Sequence, residues 1–226
     1  MTRLPEATVD EGLNAVVYNE LRQRLIHGRM SPGHELSTRS IAAELGVSQT
    51  PVRDALSRLA AEGALAIRAK RRVRVPAMTP ERFEDLLSCR LLLEPEAAAL
   101  ALPHLTDADV ERLIALDDAL DAAIESGDTD AYMQSNHGFH FTLYNIQPRR
   151  TLTHLIETLW LQFGPFMRNM HGHVASTDLH GNHRTAVDAI KAGDAEALHA
   201  AIATDITDGM GLVMRSGLAR EGGLSA

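Results

Sequence analysis

Four residues in the second half of the chain have types and spacing that suit metal or ligand chemistry. Asn136 and His140 stand four apart, so on a helix they share one face. His183 lies further on, and Asp205 follows 22 positions later. Two imidazoles and a carboxylate form a donor set for a divalent transition metal of the zinc or nickel type. In a chain with 11 histidines such pairs also arise by chance, so spacing alone leaves both readings open.

These residues can meet only if several helices bring them together, as in bundles that build sites from facing helices. The sequence provides for that. Thr79 precedes Pro80 and can cap the helix that Pro80 opens. Helices are expected over 80–102, 107–125, 129–146, 150–168, 178–192 and 195–215, with Thr106, Asp128 and Asp194 as further caps. Pro103, Gly127, Pro148 and Gly193 punctuate them. Residues 216–226 hold three glycines and read as a loose tail.

The first part of the chain has a different character. Of 226 residues, those at 1–78 carry 12 Lys/Arg against 8 Asp/Glu, whereas 79–226 carry 10 against 22. A basic piece joined to an acidic, histidine-rich piece predicts two domains, 1–78 and 79–226, with different partners. In the basic piece, Val17, Leu21 and Leu25 fall on one helical face. A short helix over 38–45 ends at Gly46. A second helix runs to about Glu62, with Ser48 as its cap and Pro51 in its first turn. Leu65 to Arg68 and Val73 to Val75 flank Lys70, Arg71 and Arg72, which reads as a β-hairpin wing.

Composition narrows the class. Hydrophobic residues make up 45% and aromatics only 4%, which favours a helical core over a β-sandwich. The longest unbroken apolar run, Ala97 to Leu102, is far too short to span a bilayer. The start of the sequence has no signal-peptide pattern, and the lone Cys89 has no partner for an internal disulfide. A cytoplasmic protein is expected.

The stretch PGHELSTRSIAAELGVSQTPVRDALSRLAAEGAL resembles the winged helix-turn-helix of GntR-family transcription regulators. The likeness covers roughly residues 14–75. It implies that Ser48, Gln49, Thr50 and Arg53 open the recognition helix, with Arg39 on the helix before it. Arg53 suits a bidentate contact to guanine and Gln49 a contact to adenine. Ser48 and Thr50 suit phosphate at a helix amino terminus. Gln49 stands where relatives commonly have arginine. The wing lacks the usual glycine and carries Lys70, Arg71 and Arg72 for phosphate contact.

RLLLEPEAAALA, NHGFH, NHRTAVDAI and KAGDAEALHAAIATDI resemble the effector domain of the fatty-acid-regulator subfamily, the FCD domain. That likeness implies a mainly α protein: a winged helix-turn-helix followed by an all-helical antiparallel bundle. It implies a homodimer that reads a pseudo-palindromic operator in double-stranded DNA and responds to a small organic or sugar acid, most simply as a repressor. Many relatives hold a metal with an aspartate and three histidines. The matching positions here are Asn136, His140, His183 and Asp205, so the carboxylate has moved across the site. This predicts a metal on His140, His183 and Asp205, with Asn136 as a weak oxygen donor toward metal or effector.

Arg90 matches a pocket arginine that would bind an effector carboxylate by a two-point fork. Its plain alternative is a surface ion pair with Glu94, four residues on. Arg149 faces either pocket or solvent. Two other readings remain open: a metal-dependent hydrolase with an appended DNA-binding domain, and a metal-free sensor of an acyl thioester.

Overall fold

The computed structural model describes residues 10–68, 72–168 and 181–215. Helix α1 (Asp10–Ile26) starts four residues before the expected Asn14, and its inner stripe of Val17, Leu21 and Leu25 is wholly buried. Strand β1 (Glu35–Leu36) follows, then α2 (Thr38–Leu45) and α3 (Gln49–Ala61). Ser37 caps α2 by accepting from Ser40 N at 3.3 Å, and Gly46 ends it in the left-handed region at φ 70°. Ser48 occupies the cap position of α3, but its hydroxyl makes no capping bond. The hydroxyl is exposed instead, which leaves that helix start open to an external acceptor.

Strands β2 (Ala66–Arg68) and β3 (Arg72–Arg74) form the hairpin. The sheet order is β1-β3-β2, all antiparallel, so the third strand was not anticipated. β1 has only two residues and no alternation of its own. It exists because β3 offers it a free edge, with Glu35 opposite Arg74 and Leu36 opposite Val73.

The second part comprises α4 (Pro80–Ala101), α5 (Asp107–Ser126), α6 (Thr129–Ile146), α7 (Arg150–Met167), α8 (Asn182–Ala192) and α9 (Ala195–Arg215). Thr79 caps α4 at 3.2 Å from Arg82 N, with Pro80 in its first turn. Thr106 and Asp109 form a reciprocal capping box on α5. Asp128 and Asp194 cap α6 and α9 at 3.0 and 2.9 Å. The start of α8 comes four residues after the expected 178, and the intervening stretch lies outside the described residues.

Two apolar cores result. α1, α2, α3 and the sheet bury Leu21, Leu25, Val52, Leu56 and Leu59. α4 to α9 bury Leu113, Phe139, Tyr144, Trp160, Val187, Leu198 and Ile202. α4 packs along α9, α5 along α6, and α8 along α9, while α7 packs on both α4 and α1. Among the described residues, no helix is long and apolar enough to cross a membrane.

Candidate functional site

The first candidate surface is the outer face of α3. Burial of Val52, Ala55, Leu56 and Leu59 turns the opposite stripe outward. Ser48, Gln49, Thr50 and Arg53 are all exposed there, and Arg39 is exposed on α2. Gly46 makes the turn that sets the two helices at an angle. Arg72 is exposed on β3 but shares its charge with Glu35 at 3.2 Å. Lys70 and Arg71 lie outside the described residues. Arg74, not singled out from the sequence, projects on the same side of β3 as Arg72, because Val73 between them is buried. Its Nε is buried without a hydrogen-bond partner.

The second candidate is a cavity among α4, α5, α6, α7, α8 and α9. It is a small, partly open cavity of about 50 Å³. Arg90, Asn136, His140, His183 and Asp205 all line it, so the residues singled out in the acidic part converge from four helices. Arg149 is exposed and does not line it. His171 and His173 lie outside the described residues.

Three donor atoms meet on the cavity wall. His140 Nε2 lies 3.1 Å from Asp205 Oδ2 and 3.3 Å from His183 Nε2. His183 Nε2 lies 3.7 Å from Asp205 Oδ1. A tetrahedral zinc with bonds of about 2.0–2.1 Å has ligand atoms roughly 3.3 Å apart. The donor set fits such an ion in both chemistry and spacing.

The hydrogen bonds behind the imidazoles decide which nitrogens carry protons. Glu94 is fully buried and accepts from Arg90 Nε at 2.5 Å and Nη2 at 3.2 Å, from Tyr144 OH at 3.0 Å, and from Trp160 Nε1 at 3.0 Å. A charged acceptor is the stronger claim on the Tyr144 proton. The Tyr144 oxygen then accepts from His140 Nδ1–H, 3.0 Å away. In the neutral ring this turns the lone pair of His140 Nε2 toward the cluster.

His183 has no such hydrogen bond behind it. Its Nδ1 is buried with no hydrogen bond, and the nearest carboxylate oxygen is Asp117 Oδ1 at 3.7 Å. Phe139 stacks on the ring at 4.0 Å between centroids and fixes its plane. Burial pushes the His183 imidazole down to about 4, so it is neutral near pH 7. Burial alone would raise the Asp205 carboxyl, but His183, His140 and Arg90 outweigh it and hold it at about 2. The neutral His183 imidazole, the ionised Asp205 carboxylate and His140 Nε2 thus point at one spot.

Arg90 is not a free fork. Its ion pair with Glu94 is buried, not at the surface, and two guanidinium nitrogens are committed to it. The charge it could offer a ligand is largely balanced from behind. Asn136 Nδ2 donates to Met167 Sδ at 3.3 Å, which fixes its carboxamide beside the cavity.

Sequence reading missed Asp117 and the hub role of Glu94. Asp117 stands 4 Å-scale from His183 only through the α5–α8 contact, and nothing local marks it. Glu94 could have been found: an acidic residue in an alanine-rich buried stripe of α4 is unusual.

Comparison with known proteins identifies both parts. Residues 13–75 match the gntR family of bacterial regulatory proteins, and residues 85–208 match the FCD domain. The HTH-type transcriptional regulator McbR of Escherichia coli is 32% identical, over 81% of this chain and 85% of its own length. The probable D-xylose utilization operon transcriptional repressor of Paenarthrobacter nicotinovorans is 28% identical, over 86% of this chain and 84% of its own. The solved structure of E. coli McbR/YncC superposes with a TM-score of 0.84, at 28% identity, covering 92% of this chain and 99% of that one. These relatives are transcription regulators, not enzymes, and the hydrolase reading falls with that. The chain belongs to the GntR family of transcription regulators, with an FCD domain as its helical part.

Proposed function

We infer that this regulator binds operator DNA as a homodimer and acts as a cytoplasmic repressor controlled by a small organic or sugar acid in the helical cavity. The DNA-reading unit extends to about residue 78, and the sensor begins at 79. One observation carries the reading of the cavity. Three electron-pair donors, His140 Nε2, His183 Nε2 and an Asp205 oxygen, face one another at 3.1–3.7 Å. Either a proton on a facing imidazole nitrogen or a cation among the three atoms satisfies that arrangement, and the spacing suits a cation. A zinc- or nickel-type ion would be held by these three residues and would supply positive charge to an effector carboxylate.

The residues around that spot have separable roles. Tyr144 and Glu94 hold His140 in the tautomer that turns its lone pair inward. Asp117 faces His183 Nδ1–H. Arg90 and Asn136 orient the remainder of the acid through donors not already engaged. Leu120, Ile124 and Ile206 give the cavity an apolar wall, so the effector is small and partly apolar.

The test is a melting-temperature screen of organic and sugar acids on full-length protein, with and without zinc. A stabilising acid should act far more strongly with zinc. An acid that acts equally after chelation would support the metal-free sensor and overturn the metal-dependent reading.

For DNA, Arg53→Ala should weaken binding to a duplex selected by the protein itself by about 1–3 kcal/mol while leaving random DNA nearly unaffected. Arg71→Ala should weaken both and flatten the salt dependence by roughly one unit of slope. Equal losses on both DNAs for Arg53→Ala would contradict base reading by α3.

The dimer is supported by Leu92, which is 75% exposed on α4. A large apolar side chain on an outer helix face suits an interface. Light scattering at micromolar concentration should give twice the chain mass of 24.6 kDa. A monomer there would exclude the proposed homodimer.

A further inference from the structure

Helix α7 carries two stripes about 100° apart. Trp160, Phe163 and Met167, at i, i+3 and i+7, face the sensor. Phe163 and Met167 line its cavity, Met167 Sδ accepts from Asn136, and the Trp160 indole donates to Glu94. Glu157, Leu161 and Gly164, continued by Arg168 just past the helix end, face the DNA-binding domain. Glu157 pairs with Arg22 of α1 at 2.9 Å. Leu161 is buried within the core of α1 to α3. Arg168 Nη1 donates to His27 O at 3.4 Å and pairs with Asp130.

Gly164 makes the closest contact. A Cβ there would lie 2.5 Å from Leu25 O and 2.6 Å from Ile26 O. The α7 backbone therefore rests directly on the last turn of α1. The fit is mutual: Gly28 has φ 66°, and a Cβ on it would meet Arg168 Cβ at 2.4 Å and Gly164 O at 2.9 Å. Gln162 reaches the end of the recognition helix, donating to Glu62 O at 3.3 Å. α1 and α3 are tied to each other, because Tyr18 OH donates to Glu62 and Arg58 covers the Tyr18 ring at 3.7 Å. Pro165 adds compliance at the same place, since it has no N–H to offer the Leu161 carbonyl.

We propose that α7 is the element that carries the state of the sensor cavity to the DNA-binding domain, with Gly164 as its joint. Packed backbone contacts of this kind do not compress, so a shift of Phe163 and Met167 must be passed to α1 or break the contact. The proposal rests on the helical cavity being the effector site. By reciprocity of coupling, DNA bound at α3 must also be felt in the cavity.

That reciprocity gives the test, because Trp160 is the only tryptophan of the chain and stands just behind the cavity wall, its indole on Glu94 and its ring 5.2 Å from that of the cavity residue His140. The probe is duplex DNA selected from a random pool by the full-length protein, and the readout is Trp160 emission. DNA should shift or quench the emission of the parent. Gly164→Ala and Arg168→Ala should keep DNA affinity within about twofold and lose the emission change. Arg168→Ala leaves the Gly164 contact intact and guards against a folding failure of the glycine variant. Leu155→Ala, on the exposed side of the same helix, should behave as the parent. A parent whose Trp160 is silent to bound DNA, or an unchanged response in both variants, overturns the proposal. If Trp160 responds to DNA but no acid stabilises the protein with or without zinc, the effector reading fails and the coupling through α7 stands.

Discussion

Glu94→Gln should cost the fold about 3–5 kcal/mol, the range for breaking a buried ion pair from one side. Glu94 is wholly buried, and Arg90 beside it is 3% exposed. Burial alone would lower the Arg90 pKa, yet the Glu94 charge raises it above the ordinary value, so the guanidinium stays charged. Without Glu94 that charge has no buried counterion. A glutamine can still accept from Tyr144 OH or Trp160 Nε1, but it cannot balance Arg90. Arg90→Met together with Glu94→Leu removes both charges and should recover part of the loss. It leaves the Tyr144 and Trp160 donors without an acceptor, which keeps recovery incomplete at about 1–3 kcal/mol per orphaned group. Urea denaturation of the parent and the two variants measures this. A single variant losing less than about 1 kcal/mol would mean that water reaches the pair and that it behaves as an exposed one.

The Arg90–Glu94 pair shows what a sequence can and cannot reveal. Its i, i+4 spacing was legible, as was the choice between ion pair and ligand fork. Burial was not, because it depends on α7 laying Trp160 across the pair. Helix starts were legible wherever a side chain caps its own backbone, as with Thr79, Thr106, Asp128 and Asp194. Those bonds close within three residues, so local chemistry is enough. β1 was not legible, because its two residues become a strand only by joining an edge supplied 37 positions later. Among the cavity residues, His140, His183 and Asp205 were visible by type and by family likeness. Asp117 was not, since its approach to His183 comes from helix packing alone. Nothing in the sequence around Gly164 marks it. Only the α1 carbonyls pressed against it explain the absence of a side chain.

The same cavity gives the other large expected effect. His140→Ala combined with His183→Ala should reduce bound zinc below detection in full-length protein, while binding to selected duplex DNA persists. Among the described residues the two imidazoles are the only nitrogen donors in the cluster, and Asp205 with the neutral Asn136 carbonyl cannot hold a transition ion tightly. Asp205 is 21% exposed, so water can reach its carboxylate once the imidazoles are gone, and the fold should survive. Asp117→Asn gives a graded companion. It leaves all three donors in place and removes the carboxylate charge that faces His183 Nδ1 at 3.7 Å, together with the Asp117–Arg184 ion pair, so zinc affinity should fall about 10-fold. A direct structural collapse would instead remove DNA binding and cooperative unfolding along with the metal, which separates the two causes. Should the parent, purified without chelator and then supplied with zinc, retain none of it, and should the double variant bind acids as the parent does, the three donors are not a metal site. The acid would then be held by hydrogen bonds from other cavity groups, with Arg90 and Asn136 the first to substitute.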